Sequence, residues 1–354
     1  MDDAKLSIAP DSKPEDWKKK IESNEDCFLP SIQIVDYVSI TIGGRLFEDN
    51  VSRQPGSLFD DDMYGDRLPQ TPTVLTGMLD DWPAFSDEPG MSWSVVDLAT
   101  RLTTNKLSLD GGPYFARMSY CSGKVTLSEY QRYCENIADG DNIAPLYIFD
   151  PDILLSTFDD ADKSSVSDAY SIPTCFSKDT MECINGSQHR PLPPAWLLVG
   201  VARSGTPIHN HPFTVAWNAL LVGCKLWCCL PPDVDESLLQ LNLDDENDDA
   251  DFDLSAMEWF YQMQRDELPE SAKIIIQHPG EVVYLPRGWF HVVLNVETST
   301  AISVSLALRR DLQTALPPLM EEDDEFISFW YERLLLSPYK DDLHYSWCSQ
   351  RRNR

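Results

Sequence analysis

The chain has 354 residues, of which 28 are basic and 58 acidic, so its formal net charge is −30 at pH 7. This charge argues against tight binding of phosphate or nucleic acid. It fits either a solvated acidic surface or a surface that recruits a basic protein segment. At this length, with 42% hydrophobic residues, the chain can bury one large core, or the cores of a main domain and a smaller companion.

The N-terminal residues lack the basic-then-apolar pattern of a signal peptide. The longest apolar stretch, 215–232, is interrupted by polar residues and glycine, so it is not expected to span a bilayer. Nine cysteines without zinc-knuckle spacing indicate reduced thiols. We therefore expect a protein of the nucleus or cytoplasm that is not secreted.

Helical and extended patterns alternate in the first 150 residues. In chain order they predict a short helix at 11–22, a β run at 32–42, a loop rich in Gly, Pro and Asp at 53–72, a strand that ends in a turn within 72–85, helices at 93–102 and 126–137, and a strand at 145–150.

From Trp196 onward, short β runs are separated by Gly and Pro turns. There are seven: WLLVGVA, TVAWNALLVG, KLWCCLPP, KIIIQ, EVVYLP, FHVVLNV and TAISVSLAL. Such a series is typical of a closed or sandwiched antiparallel β domain. The acidic insertion 243–253 reads as a solvated loop, SAMEWFYQM as a helix after it, and EFISFWYERLLL as an amphipathic helix that docks on the barrel.

These patterns divide the chain into four parts. They are an N-terminal helix with an irregular and β region (1–70), an α/β lead-in (71–139), a β-barrel that holds the acidic insertion (140–310), and a helical tail (311–354).

Two histidines two positions apart, His209 and His211, are the strongest candidates for metal ligands. Side chains two apart on a strand point to the same face, so both can reach one bound atom. A third imidazole, His291 in GWFHVVLN, would complete a set of three nitrogen ligands with open positions. Arg287 and Trp289, in the turn before His291, are supports of the site, residues of the substrate rim, or ordinary turn and core residues.

The two segments that carry these histidines, 201–232 and 279–307, resemble the jumonji-C (JmjC) domain family. Within it, they are most similar to the group of the jumonji-type lysyl hydroxylase and proposed arginine demethylase. The likeness continues upstream through PTVLTGMLDDWP and PLYIFD. It implies a mostly β, double-stranded β-helix (a cupin or jelly-roll barrel). It also implies Fe(II)- and 2-oxoglutarate-dependent hydroxylation or demethylation, usually of proteins.

The resemblance also implies a set of cosubstrate residues. Lys225 stands where the family pairs a lysine with the distal carboxylate of 2-oxoglutarate, and Asn218 matches a neighbouring contact. Tyr147 and Thr206 match further members of that pocket, and Ser303 stands where the group commonly has threonine. Physical chemistry agrees, because a cation on an inward-facing strand position needs an anion.

The metal motif departs from the family pattern of HxD followed by a distant His. His211 replaces the carboxylate, whereas His209 and His291 match. Aspartate cancels one charge of Fe(II) and a neutral imidazole cancels none, so the site gains one unit of positive charge. Imidazole nevertheless suits iron, zinc, copper and nickel, so metal binding is compatible with the change.

Three interpretations follow. The first is an Fe(II)- and 2-oxoglutarate-dependent oxygenase with a three-histidine site that modifies a protein side chain, lysine or arginine first, in a basic peptide. The second is a JmjC pseudoenzyme that serves as a binding module. The third is a three-histidine metal site, zinc or iron, that does not use 2-oxoglutarate; zinc would lower the pKa of bound water toward neutrality.

Overall fold

The computed structural model describes residues 31–86, 91–103, 112–118, 124–136, 145–159, 165–190, 195–235, 238–239, 255–263, 268–321 and 325–343. The helix predicted at 11–22 and the acidic insertion 243–253 lie outside these residues. No helix in the described part of the chain is long and apolar enough to cross a lipid bilayer.

The described residues form sixteen strands, so the mostly β prediction is confirmed. They are β1 (Ile32–Asp36), β2 (Ser39–Ile42), β3 (Arg45–Glu48), β4 (Arg53–Pro55), β5 (Thr73–Thr76), β6 (Ala116–Arg117), β7 (Lys124–Val125), β8 (Tyr147–Asp150), β9 (Ala195–Gly200), β10 (Gly205–His209), β11 (Val215–Val222), β12 (Lys225–Leu230), β13 (Lys273–Gln277), β14 (Val282–Leu285), β15 (Phe290–Asn295) and β16 (Ser299–Leu306).

Five α-helices accompany the strands. They are α1 (Val95–Arg101), α2 (Leu127–Asn136), α3 (Ala256–Gln262), α4 (Leu312–Glu321) and α5 (Glu325–Leu335). The helices predicted at 93–102, 126–137 and 255–263 are therefore confirmed, with small differences at their ends. Helix α3 begins at a capping box, in which the Ser255 side chain accepts from the Glu258 backbone N–H and the Glu258 side chain accepts from the Ser255 N–H.

Two sheets make the barrel. The major sheet has seven strands in the order β4-β5-β14-β11-β16-β9-β8, and the minor sheet has four in the order β10-β15-β12-β13. All pairings are antiparallel except β4 with β5. The seven β runs predicted from Trp196 onward all appear here as strands, and the two sheets face each other as in a jelly-roll.

Strand alternation divides the barrel residues between two environments. On β11, Trp217, Ala219 and Leu221 join the large core outside the major sheet, where α1 and α2 pack. The alternate residues on β11 face the space between the sheets. There an apolar cluster, drawn from both sheets, includes Ala216, Trp227 and Val293. Beyond this cluster the space between the sheets opens into a cavity.

The predicted β run at 32–42 is a hairpin, β1–β2, that continues into β3 as a small separate sheet. Ile40, Ile42 and Phe47 from this sheet join α3 and the outer face of the minor sheet in a second core. The small sheet thus covers a sheet face that would otherwise expose apolar residues to water.

Arg53 at the start of β4 ties two distant segments together. Its guanidinium donates to Asp49 (2.6 Å), to Glu281 before β14 (2.9 Å) and to the carbonyl of Ile276 on β13 (2.7 Å). The side chains of Asp49 and Glu281 are 2% and 8% exposed. This network fixes the edge of the major sheet against the end of the minor sheet.

The C-terminal helices pack beside the barrel as predicted for the tail. Trp330 and Leu334 of α5 are fully buried in a cluster with Met181 and Ile184, while Phe326 and Phe329 are partly buried at its margin. The Trp330 indole N–H donates to the carbonyl of Thr180 at 3.2 Å.

Candidate metal and cosubstrate site

The three predicted metal ligands come together at one end of the barrel. In the β10–β15 pair His209 lies opposite His291, and the ring centroids of these two are 4.1 Å apart. The ring of His211 lies 5.2 Å from each of them. One potential ligand atom of each residue lies within 4.8 Å of the other two, which is the spacing of ligands around one small ion.

One detail of the sequence prediction was wrong. His209 and His211 do not share a strand, because β10 ends at His209 and His211 lies two positions beyond its end. The two rings still converge. Pro212 follows His211, and the residue before a proline is held in an extended conformation. Extended backbone preserves the alternation of side chains, so His211 keeps the orientation that a strand would have given it.

Backbone carbonyls orient two of the imidazoles. The Nδ1 of His209 lies 2.9 Å from the Pro207 carbonyl, and that of His291 lies 3.2 Å from the Trp289 carbonyl. A carbonyl only accepts, so each Nδ1 carries the proton and each Nε2 keeps a free lone pair. This tautomer is the one that a metal ligand needs, and the carbonyls hold the rings in place.

Burial favours the neutral form of all three imidazoles. Desolvation lowers the pKa of His209, lowers that of His211 to about 3 with a further contribution from His209, and lowers that of His291 well below its usual value. A neutral imidazole is the form that coordinates a metal. The described residues therefore fit a divalent transition metal that accepts three nitrogen ligands.

The turn between β14 and β15 holds the ligand residues together. The Gly288 N–H donates to the carbonyl of His211 (2.9 Å), and Arg287 donates to the carbonyl of Pro212 (3.0 Å) and to Thr314 Oγ1 of α4 (3.1 Å). Gly288 has φ of +80°, a conformation that other residues rarely adopt. The turn thus links the end of β10 to the C-terminal helices.

Trp289, the last residue of that turn, supports the site in two ways. Its carbonyl accepts from His291, while its side chain is buried and donates through Nε1 to the carbonyl of Gln70 at 3.2 Å. Trp289 thus contacts His291 directly, whereas Arg287 contacts the residue after His211.

All eight residues that the sequence singled out line one cavity of about 210 Å³. It is lined by the three histidines, the five cosubstrate candidates Tyr147, Thr206, Asn218, Lys225 and Ser303, and the remaining residues Phe149, Trp196, Leu198, Ala216, Trp217, Trp227, Leu285, Val293 and Ser305. They come from both sheets, so the cavity forms only where the sheets face each other.

Lys225 is the most deeply buried polar group that the sequence predicted for this cavity. It is fully buried, and its ammonium donates to Asn295 Oδ1 at 2.5 Å and lies 5.7 Å from the centre of the Tyr147 ring. None of the ion pairs between described residues includes Lys225. Desolvation lowers its pKa to about 7. A buried ammonium in this setting favours an anionic ligand.

Asn295 was missed from the sequence. Its Nδ2 donates to Ser204 Oγ at 2.8 Å, which in turn donates to the Val201 carbonyl at 2.6 Å, so the amide that receives Lys225 is itself fixed. Gly200 makes room here, because a Cβ at this position would lie 2.2 Å from Asn295 Nδ2 and 2.6 Å from the Tyr147 ring. The alternation His291, Val293, Asn295 along β15 was the available signal.

The other cosubstrate candidates present polar groups to the cavity. Asn218 lies opposite Ser303 in the β11–β16 pair, and its Oδ1 is buried without a hydrogen-bond partner in the described residues. The Ser303 hydroxyl makes one long bond, 3.4 Å, to the Trp217 carbonyl. The Thr206 side chain is hydrogen-bonded to Tyr147, whose pKa is raised, mainly by burial. Such groups can be recruited by a polar ligand.

Comparison with known proteins agrees with this geometry. Residues 196–306 match the model of the family described as JmjC domain, hydroxylase. The chain is 28% identical over 272 residues to the bifunctional arginine demethylase and lysyl-hydroxylase psr-1 of Caenorhabditis briggsae, an alignment that covers 75% of this chain and 63% of that protein.

Two further relatives extend the comparison. The arginine-specific demethylase JMJ22 of Arabidopsis thaliana is 31% identical over 279 residues, 77% of this chain and 49% of that protein. The 2-oxoglutarate and iron-dependent oxygenase JMJD4 of Mus musculus is 26% identical over 145 residues, 40% of this chain and 32% of that protein. The chain thus spans between about one third and two thirds of the length of these three relatives.

Proposed function

We propose, from the premise that this chain carries a JmjC domain at residues 196–306, that it is an Fe(II)- and 2-oxoglutarate-dependent oxygenase that modifies a protein side chain. The observation that carries the proposal is Lys225, a fully buried cation without a carboxylate partner among the described residues, in the same cavity as three converging neutral imidazoles. Lysine and arginine, which the relatives' names mention, are the first residues to test.

In this proposal His209, His211 and His291 hold the metal, and Lys225 binds the distal carboxylate of 2-oxoglutarate. Asn218, Ser303, Thr206 and Tyr147 orient the cosubstrate from the facing strands. Iron and 2-oxoglutarate, when bound, would supply the chemistry that activates O2 for insertion into a C–H bond.

The protein's own contribution is positioning and exclusion of water. The carbonyls of Pro207 and Trp289 fix two of the imidazoles, and Asn295 fixes the ammonium. Apolar residues such as Trp227 and Val293 keep the space between the sheets dry. A dry cavity strengthens each of these electrostatic contacts.

The same ligand set supports a second candidate. Three imidazoles are also a known catalytic zinc set, and zinc would lower the pKa of bound water toward neutrality. A protonated Lys225 in the same cavity would disfavour a cationic metal hydroxide site by charge repulsion, which places this candidate second. The third possibility, a binding module without catalysis, would keep the fold and lack turnover.

The test is anaerobic absorption spectroscopy of the purified chain titrated first with Fe(II) and then with 2-oxoglutarate. We expect a visible charge-transfer band that requires both additions, that is lost in Lys225→Met, and that is retained in the control Lys273→Met on the neighbouring strand β13. Metal binding without the band would reject the oxygenase and favour the zinc or scaffold alternatives.

Partner and location belong to the same proposal. The net charge of −30 supports a basic peptide as the partner, since opposite charges speed and strengthen encounter. The six described cysteines are all free thiols, which supports a reducing compartment such as the nucleus or cytoplasm. Peptide binding that does not weaken as salt rises would count against the basic partner.

A further inference from the structure

One wall of the cavity carries no role in the site described so far. Phe149 on β8 and Trp196 on β9 pack against each other with ring centroids 4.2 Å apart and an interplanar angle of 33°. Both line the cavity and both are only partly buried, which leaves ring surface open to a ligand.

The Phe149–Trp196 wall adjoins the residues that we propose to bind the cosubstrate. The Tyr147 ring lies 5.7 Å from the Lys225 ammonium, the Phe149 ring lies 6.5 Å from that of Tyr147, and the Trp196 ring follows. Exposure rises along this series, because Lys225 and Tyr147 are 0% and 1% exposed whereas Phe149 and Trp196 are partly exposed. The aromatic pair therefore presents partly exposed ring surface in the same cavity, whereas Lys225 and Tyr147 are buried.

The surroundings of the pair are apolar or carry neutral hydroxyls. Leu198 and Leu285 line the cavity nearby, and Trp196 faces Ser303 in the β9–β16 register. Ser305 lies one alternation further along β16, opposite Ala216. These small residues on β16 leave room in front of the rings.

The described lining of the cavity holds no negatively charged side chain. None of the described residues that line it is an aspartate or a glutamate, and Lys225 is the one lysine or arginine among them. His211 occupies the position at which the family pattern has a carboxylate. A cationic side chain that entered would find no carboxylate in the described lining to pair with, and only the aromatic ring faces would attract it. An uncharged apolar side chain would give up no hydrogen bonds to water when it entered, and it would bury its surface against the rings.

We infer that the Phe149–Trp196 wall receives the reacting side chain of the substrate, and that this side chain is uncharged and apolar or aromatic. The inference rests on the proposed function, keeps its reaction class, and replaces lysine and arginine by an uncharged residue as the side chain that reacts. A basic partner is compatible with it, because basic residues that flank the reacting one would contact the outer acidic surface and stay outside the cavity.

The experiment uses the full chain and four capped amino acids as probes. Saturation-transfer NMR compares N-acetyl-leucinamide and N-acetyl-phenylalaninamide with N-acetyl-lysinamide and N-acetyl-argininamide. We expect the two apolar probes to bind about tenfold more tightly than the two cationic ones. Trp196→Ala should remove most of this binding. Phe115→Ala, which removes an aromatic ring that is 48% exposed outside the cavity, should leave it unchanged.

A second variant covers the case in which Trp196→Ala fails to fold. Ser305→Asp places a carboxylate in the cavity and should reverse the preference, so that the lysine and arginine probes bind more tightly than the apolar ones. Binding of the cationic probes that equals or exceeds that of the apolar probes in the unaltered chain would overturn the inference. Binding of none of the four would overturn it as well.

The two proposals fail in different ways. A charge-transfer band with Fe(II) and 2-oxoglutarate, together with a preference for cationic probes, leaves the oxygenase and removes the apolar substrate. Absence of the band removes the oxygenase, whatever the probes do.

Discussion

The ammonium of Lys225 donates a 2.5 Å hydrogen bond to Oδ1 of Asn295, and this neutral amide is its only hydrogen-bond partner within the described residues. An amide oxygen orients the cation and does not cancel its charge. An anion that bound there would recover the energy needed to bury that charge, which supports the carboxylate that we propose beside Lys225.

Replacing Lys225 by methionine should separate binding from stability. We expect the affinity for 2-oxoglutarate to fall by about a hundredfold, since a charge-assisted contact contributes about 1.5–3 kcal/mol. The thermal unfolding midpoint should stay equal or rise, because an apolar chain of similar length replaces a buried ammonium. Calorimetric titration and thermal unfolding measure the two effects. A clear loss of stability would show that Lys225 is a structural residue.

The pH dependence of binding follows from the same residue. Burial lowers the pKa of Lys225 to about 7 from 10.5. Above about pH 7 the native, ligand-free amine is neutral while the unfolded chain still binds a proton, so stability should rise with pH up to about 10.5.

Binding of the dianion needs the ammonium, so its affinity should show the opposite trend. We expect it to fall by up to about tenfold for each pH unit above about 7. Titrations between about pH 6.5 and about pH 8.5 should show this slope in the unaltered chain and a flat profile in Lys225→Met. Equal slopes in the two proteins would assign the titration to another group.

Loss of His291 should abolish metal binding. In the proposed site His291 supplies one of the three nitrogen ligands, and its side chain is 3% exposed. We expect His291→Ala to retain less than about one tenth of the bound metal after dialysis. His189→Ala is the matched control, because His189 packs on the Phe329 ring away from the cavity. Mass spectrometry measures the metal content of both variants. Full retention in His291→Ala would reject the assignment of His291 as a metal ligand.

His211→Asp should change which metal the site prefers. An imidazole suits zinc, nickel and copper, whereas a carboxylate favours manganese and supplies one negative charge. We expect the variant to bind Mn(II) about tenfold or more tightly than the unaltered chain does, with a smaller gain for Zn(II). Calorimetric titration of both ions into both proteins gives the ratio. An unchanged ratio would mean that His211 is not a ligand.

Arg53 is expected to dominate the stability of one barrel edge. Arg53→Met would leave the buried carboxylates of Asp49 and Glu281 without their cation, at a cost of about 3–5 kcal/mol in the free energy of unfolding. Arg117→Met is the control, because Arg117 and its partner Asp152 are 49% and 46% exposed and such pairs contribute about 0–1 kcal/mol. Urea unfolding of both variants tests the difference. Similar losses of unfolding free energy in the two variants would mean that the Arg53 network contributes no more than an exposed ion pair.

Much of the barrel could be predicted because each strand from Trp196 onward is a local pattern with its own turns. Asn218 and Lys225 came from the family resemblance, and the structure places both in the lining of the cavity. The contact of Lys225 with Asn295 could not be predicted in this way, because it joins side chains 70 positions apart and depends on the register of β12 with β15.

Two other features escaped prediction for similar reasons. The end of β10 at His209 depends on local backbone geometry, and a pattern of residue types marks strand ends poorly. The Phe149–Trp196 pair joins side chains from β8 and β9, which neither alternation nor composition identifies as neighbours. Both features lie at the site, where tertiary pairing decides the outcome.

The pairing of β10 with β15 also links metal binding to folding. His209 and His211 precede β11 and His291 follows β14, so the complete cluster exists only after the intervening chain has closed a long loop. In the unfolded chain only His209 and His211 lie close together along the sequence. A metal that binds all three therefore binds the native state selectively and shifts the folding equilibrium toward it by mass action. The ion would therefore stabilise the closed barrel, in addition to its proposed part in the reaction.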